Sequence, residues 1–170
     1  MKVDGRHRGP CLFTWAVPYY ERKGGGRIAR GRIHSMSYPL TDIDGIDADV
    51  ARALKRVGVR TTAALLEAAK DPKGRKALAG KTELDEKLLL KWANVADRMR
   101  IKGVGAEYAE LIRAAGVDTV RELKHRNAKR LAAAMKAANE KRKLVQFLPS
   151  DKAVAKWIDQ AKKMPLKISY

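Results

Sequence analysis

The sequence predicts an all-α protein, and three observations carry that prediction. From residue 40 onward the apolar residues recur every three or four positions, the spacing of helices with one buried stripe, and no stretch alternates as a strand would. Glycine and proline punctuate the pattern at Gly58, Pro72, Gly116, Pro149 and Pro165. An internal repeat then sets the same punctuation twice: residues 43–65 align without gaps on residues 101–123, with eight positions identical.

Each element of the repeat has its own physical task. Gly45 and Gly103 permit a tight turn with unusual backbone angles. Ala51 and Ala109 are small enough to let the following helix pack closely. Gly58 and Gly116 fall where a left-handed residue ends that helix, and Thr61 and Thr119 then stand as N-caps of the next one. The unit is a turn, a helix, a glycine stop and a capped helix. Ahead of the second turn, Thr82 and Asp85 have the spacing of a capping box. Leu84, Leu88, Trp92, Val95 and Met99 follow as an expected buried stripe, with Trp92 as a core anchor. Lys87, Lys91, Asn94 and Arg98 form a second row beside that stripe, placed to face an anion. Further on, Asn127 is expected to cap a helix reaching Lys136. Ser150 caps another, on which Ala153, Val154, Trp157, Ile158 and Ala161 share one face.

Composition narrows the function. An apolar share of 45% supports a real core, and aromatics at 6% fit one built from aliphatic side chains. A formal charge of +18 points to a polyanionic partner. Cys11 is the only cysteine, so no internal disulfide or cysteine-based zinc site is expected, and His7, His34 and His125 lack metal-ligand spacing. No cofactor is expected. The apolar run at residues 11–17 ends at Pro18 and is far shorter than the roughly 20 residues that span a bilayer. No membrane association is expected, and a cytoplasmic location follows by default.

Residues 1–35 differ in character, with eight Lys/Arg against two acids and Gly24, Gly25 and Gly26 in the middle. Two readings stand open: a basic extension with little packed structure, or a stretch upstream of a true start at Met36. The remaining charge is uneven. Residues 36–90 carry 10 Lys/Arg and 9 Asp/Glu, a net of +1, whereas residues 91–170 carry 19 and 8, a net of +11.

The second turn reads Ile101-Lys102-Gly103-Val104-Gly105-Ala106 and continues through Tyr108, Ala109, Leu111 and Ile112. This resembles a helix–hairpin–helix element, apolar-x-Gly-apolar-Gly followed by alanine and an apolar residue. The resemblance implies DNA binding without sequence preference, by hairpin amides on phosphate oxygens. The residues allow that chemistry: Val104 plugs the turn, and a helix starting near Gly105 presents unpaired amides at its positive end. Such bonds position a protein and carry no base information. The expected phosphate-binding set is Lys102, Gly103, Val104, Gly105 and Ala106, flanked by Lys91, Arg98, Arg100, Lys124, Arg126, Lys129 and Arg130. The first turn, Gly45-Ile46-Asp47, has aspartate in place of the second glycine, with Asp42, Asp44 and Asp49 close by. It is expected to be structural, since those carboxylates would repel phosphate.

On a larger scale, residues from about 40 to the C-terminus resemble a bacterial family, the domain of unknown function numbered 4332, with tandem helix–hairpin–helix units. The likeness rests on Pro72-Lys73-Gly74-Arg75, Lys91-Trp92, residues 98–105, Ala115-Gly116-Val117 and Trp157-Ile158. It implies a SAM-like helical domain with additional C-terminal helices and an expectation of DNA binding, with no settled activity. The expected organisation is the extension at 1–35, a first unit at 36–80, a second at 81–138, and C-terminal helices at 139–170 packing on the same domain. The expected function is non-catalytic, sequence-tolerant DNA binding at the nucleoid. The alternatives are a helical protein-interaction module or an RNA-binding protein, because phosphate contacts alone do not separate the sugars. No nucleophile–base pair, phosphate-loop signature or cysteine–histidine cluster argues for an enzyme. The aspartates around the first turn can be read as a metal cluster for phosphodiester cleavage, but capping and solvated-surface roles explain them better. Oligomeric state stays open.

Overall fold

A computed structural model describes residues 37–170, and the expectations for residues 1–35 and Met36 lie outside the described residues. The fold is all-helical, as expected, with eight α-helices among the described residues. A 3-10 turn at Leu40–Asp42 precedes α1 (Ala48–Arg56), α2 (Thr62–Ala69), α3 (Pro72–Thr82) and α4 (Glu86–Arg98). Then come α5 (Ala106–Ala114), the single turn α6 (Val120–Leu123), α7 (Ala128–Arg142) and α8 (Asp151–Lys163).

Helix boundaries follow local chemistry closely. Thr61 and Thr119 cap α2 and α6 through their hydroxyls, on the amides of Ala64 and Glu122. Asn127, through its side-chain amide oxygen, and Ser150, through its hydroxyl, cap α7 and α8 on the amides of Arg130 and Ala153. Gly58 and Gly116, at φ +88° and +82°, end α1 and α5 in the left-handed region that glycine enters without strain. The capping box at Thr82 is a misreading. Asp85 itself caps α4 through the amide of Lys87, while Thr82 closes α3 with its hydroxyl on the carbonyl of Leu78. The helix therefore begins later. Trp92, Val95 and Met99 of the expected stripe are buried, joined by Leu89, Ala93 and Ala96, whereas Leu88 is exposed and Leu84 packs against the core from ahead of the helix.

α2, α3 and α4 pack on one another, and α7 and α8 form a second close pair. α4 also meets α5 and α6, so it stands between the two groups. The core runs through both without interruption, from Leu40 and Ile43 to Ile158 and Ile168. The stretch after α8 turns back across the first helices. Ser169 donates its amide to the carbonyl of Lys70, and its own carbonyl accepts from the buried Arg75 guanidinium at 3.0 Å. Lys167 pairs with Glu67, and the Tyr170 hydroxyl donates to Asn94 at 2.8 Å.

Candidate nucleic-acid interface

The two glycine turns have nearly one backbone. Gly45 and Gly103 sit at φ +85° and +88°, where an L side chain would be strained. The next apolar residue, Ile46 or Val104, is buried and closes the turn with its amide on the carbonyl of Ile43 or Ile101. A tryptophan covers each glycine. A Cβ on Gly45 would meet the Trp92 indole nitrogen at 3.4 Å, and one on Gly103 would meet that of Trp157 at 3.2 Å. The core-anchor expectation for Trp92 holds, and Trp157 does the same work for the second turn.

The residue that starts each following helix separates them. Asp47 caps α1, its carboxylate accepting from the amides of Asp49 at 3.0 Å and Val50 at 2.8 Å. At the corresponding place Gly105 gives α5 no side-chain cap, and the amides of Ala106, Glu107 and Tyr108 have no acceptor among the described residues. Gly105 has φ −82°, and a Cβ there would meet nothing within 4 Å. The backbone does not require glycine at this position. Its effect is to leave the positive end of a nine-residue helix open.

Several residues expected to bind phosphate are engaged elsewhere. Arg98 is wholly buried and donates through Nη1 to the backbone carbonyl of Asp118, a partner 20 residues ahead that its helical row could not reveal. Arg100 is held by the buried Asp97 and reaches toward the carbonyl of Pro165. Desolvation is the largest influence on Asp97 and raises its carboxyl, against the pull of Arg100. The Lys102 amide donates to Gln160 Oε1 at 3.0 Å, and Gln160 Nε2 donates back to the Lys102 carbonyl, so α8 clamps that peptide. The Val104 amide is spent on the turn itself.

The flanking cations divide between the two ends of α5. Helix α7 lies against it with its ends reversed. Arg126, Arg130 and Leu131 share a cavity with Ala115 and Val117, whereas Asn139 and Lys143 share another, of about 680 Å³, with Glu107 and Tyr108. Arg126, which donates to the Gly116 carbonyl, and Arg130 thus belong to the far end of α5, about 13 Å from the open amides at 1.5 Å per residue. Lys129 precedes Arg130 on the first turn of α7, and Lys124 ends α6. Lys91 lines yet another cavity, along α4. The cation brought to the first turn of α5 is one the expected set lacked, Lys143. Its left-handed backbone (φ 50°) ends α7, and Asn139 fixes the loop beyond it by hydrogen bonds in both directions with the Val145 backbone. The Tyr108 hydroxyl donates to the Phe147 carbonyl and ties that loop to α5. Carboxylates approach as well: Asp42 and Asp44 of the first turn share a cavity of about 360 Å³ with Ala106, Glu107 and Glu110. Glu110 is held below the usual carboxylate range chiefly by its hydrogen bonds from Arg113.

The place of Trp157 over the second turn had a signal in the sequence, whereas that of Gln160 had none, since the matching position of α4 is Val95. Lys156, Trp157, Ala161 and Met164 repeat Lys91, Trp92, Ala96 and Met99, and each tryptophan lies seven residues past its helix cap. Helix α8 thus stands to the second turn as α4 stands to the first.

The pattern of turn, tryptophan cover and following helix spans residues 45–157, and one family model matches almost the same stretch. That model is the domain of unknown function DUF4332, and it matches residues 44–164. The chain belongs to this family. No curated protein and no solved structure matches the chain. Among the described residues no cluster of His, Cys, Asp and Glu could hold a metal ion, and no helix is long and apolar enough to cross a membrane.

Proposed function

We propose that this DUF4332 protein binds the sugar-phosphate backbone of nucleic acid, DNA in preference to RNA, without catalysis and without reading sequence. One observation carries the reading: the first-turn amides of α5 lack an acceptor among the described residues, whereas two of those of the matching helix α1, on Asp49 and Val50, are taken by Asp47. A phosphate oxygen accepting from the Ala106, Glu107 and Tyr108 amides would complete α5 as Asp47 completes α1. Lys102, exposed beside Gly103, and Lys141, Arg142 and Lys143 at the end of α7 would then supply the cations. The net +11 of residues 91–170 supports the choice of this half, because long-range attraction steers a polyanion even where individual carboxylates stand close. As a basic, sequence-tolerant binder it would act at the nucleoid.

The test is a Gly105→Asp variant. The open space around Gly105 and its ordinary φ mean that aspartate fits, and its carboxylate would cap α5 as Asp47 caps α1. The expected result is a fold at least as stable as the parent and duplex affinity lower by about tenfold or more, the worth of a hydrogen bond to a charged group. With about four cations engaged, log affinity of the parent should fall against log salt with a slope near about −3.6. Unchanged affinity in the variant, or a slope near zero in the parent, removes this reading. Duplex DNA, single-stranded DNA and structured RNA compared at two salt concentrations rank the substrates.

One observation favours protein docking instead. Phe147 is 75% exposed beside Leu148, in the loop that Tyr108 ties down. Capture of a partner that survives both nuclease and high salt, and is lost in Phe147→Ser, would establish it.

A further inference from the structure

The row of α4 that the sequence sets to face an anion lines a single cavity, well away from the open end of α5. Lys87, Lys91, Asn94 and Arg98 lie at helical spacing along it, and Arg113 and Asp118 close it from α5 and the turn beyond, around about 290 Å³. Arg98 is 0% exposed. Its Nη1 is satisfied by the Asp118 carbonyl, but Nε and Nη2 are buried with no acceptor among the described residues. Those two nitrogens form the side-on fork of a guanidinium, the edge that takes two oxygens of one oxyanion. Buried charged groups are ordinarily paired, and an unmet pair of donors on one is rare and costly. Burial, the main influence, brings the Arg98 guanidinium down to about 10, so it stays charged at neutral pH.

The fold does not demand this arrangement. Arg98 lies 13 residues past the cap of α4, and the residue 13 past the cap of α8 is Lys163, which is exposed. A helix doing the same packing work thus manages without a buried guanidinium. The balance of charge points further. Lys87, Lys91, Arg98 and Arg113 give four positive charges; Asp118 and Glu110, the latter bound to Arg113, give two negative ones. The surplus of two matches the dianion of a phosphomonoester, whose second ionisation lies near pH ~6. We propose that this cavity is a binding site for a terminal phosphate group, gripped by the Arg98 fork and neutralised by Lys87 and Lys91. A volume of about 290 Å³ leaves room for part of the molecule that bears the phosphate. Tyr170, on the rim with its hydroxyl on Asn94, would contact that part.

This site is independent of the α5 amides and stands or falls separately. The experiment titrates inorganic phosphate into the full chain by calorimetry and by thermal melting. Saturable binding at millimolar phosphate or below is expected, with a rise in melting temperature. The double variant Lys87→Gln/Lys91→Gln, altered at an exposed and a half-buried position, should keep its unliganded melting temperature and lose about tenfold or more in phosphate affinity. Arg98→Met should abolish binding; if it fails to fold, the lysine variant decides. Absence of saturable binding, or equal affinity in the lysine variant, overturns the proposal. A 5′-phosphorylated oligonucleotide that displaces phosphate where its 5′-hydroxyl twin does not identifies a nucleic-acid end as the source. If neither displaces it, the ligand is a small phosphate ester. Loss of duplex binding in Gly105→Asp with phosphate binding intact would keep the two sites distinct.

Discussion

The turn at Gly45 and the turn at Gly103 differ by 3° in φ, bury the same kind of apolar residue, and lie under the same kind of indole. One is followed by a helix whose end is closed by a carboxylate, the other by a helix whose end is open. Glycine, the apolar plug and the tryptophan fix the path of the chain. The side chain that follows decides what the helix end can receive. Shape and chemistry are therefore set by different residues of one short motif, and a substitution can change one while sparing the other.

The comparison breaks most severely at the glycines. Gly103→Ala should destabilise the protein by about 2 kcal/mol, because alanine is strained at positive φ and its Cβ would press on Trp157. Gly45→Ala should lose less, since its Cβ meets Trp92 at ordinary contact distance. Urea melts of the two variants give the order, and equal losses would mean that the indole contacts do not distinguish the turns. Asp47→Ala should lose about 1 kcal/mol by freeing the α1 amides, whereas Asp47→Gly, which copies the second turn, should lose only a few tenths. The smallest effect is electrostatic. Glu110 has a folded pKa below its unfolded value, so its contribution is fully present above the ordinary carboxylate range and is lost as pH falls through the depressed value. Glu110→Gln should flatten the acid limb of the melting-temperature profile. Asp49→Asn, which removes the highly exposed Asp49–Arg52 pair of α1, should leave that limb unchanged.

What was legible in the sequence is what depends on near neighbours. Thr61, Thr119, Asn127 and Ser150 bond to amides three residues ahead, so their caps could be read directly. The all-helical class followed from the same local regularity, and the family from a resemblance carried by short motifs such as Pro72-Lys73-Gly74-Arg75 and Trp157-Ile158. Where two local patterns competed, as at Thr82 and Asp85, the weaker pairing misplaced a helix start, and of the expected stripe only Leu88 fell outside the core. The site residues were harder to read because their fate depends on tertiary partners. Arg98 looks like a surface cation on its row until the Asp118 carbonyl and the packing of α6 enclose it. Arg130 and Lys143 carry the same charge, and only the reversed packing of α7 on α5 assigns the second to the open helix end.

The return of the last residues across α2, α3 and α4 bears on how the molecule comes apart. Arg75 leans on the Ser169 carbonyl, Glu67 on Lys167 and Asn94 on Tyr170, so α2, α3 and α4 are fastened by residues 76 to 100 positions further along the chain. The front half cannot reach its finished state while the ribosome still holds the back half. Once formed, the two halves share a common fate, and thermal disorder in either loosens the strap that both rely on.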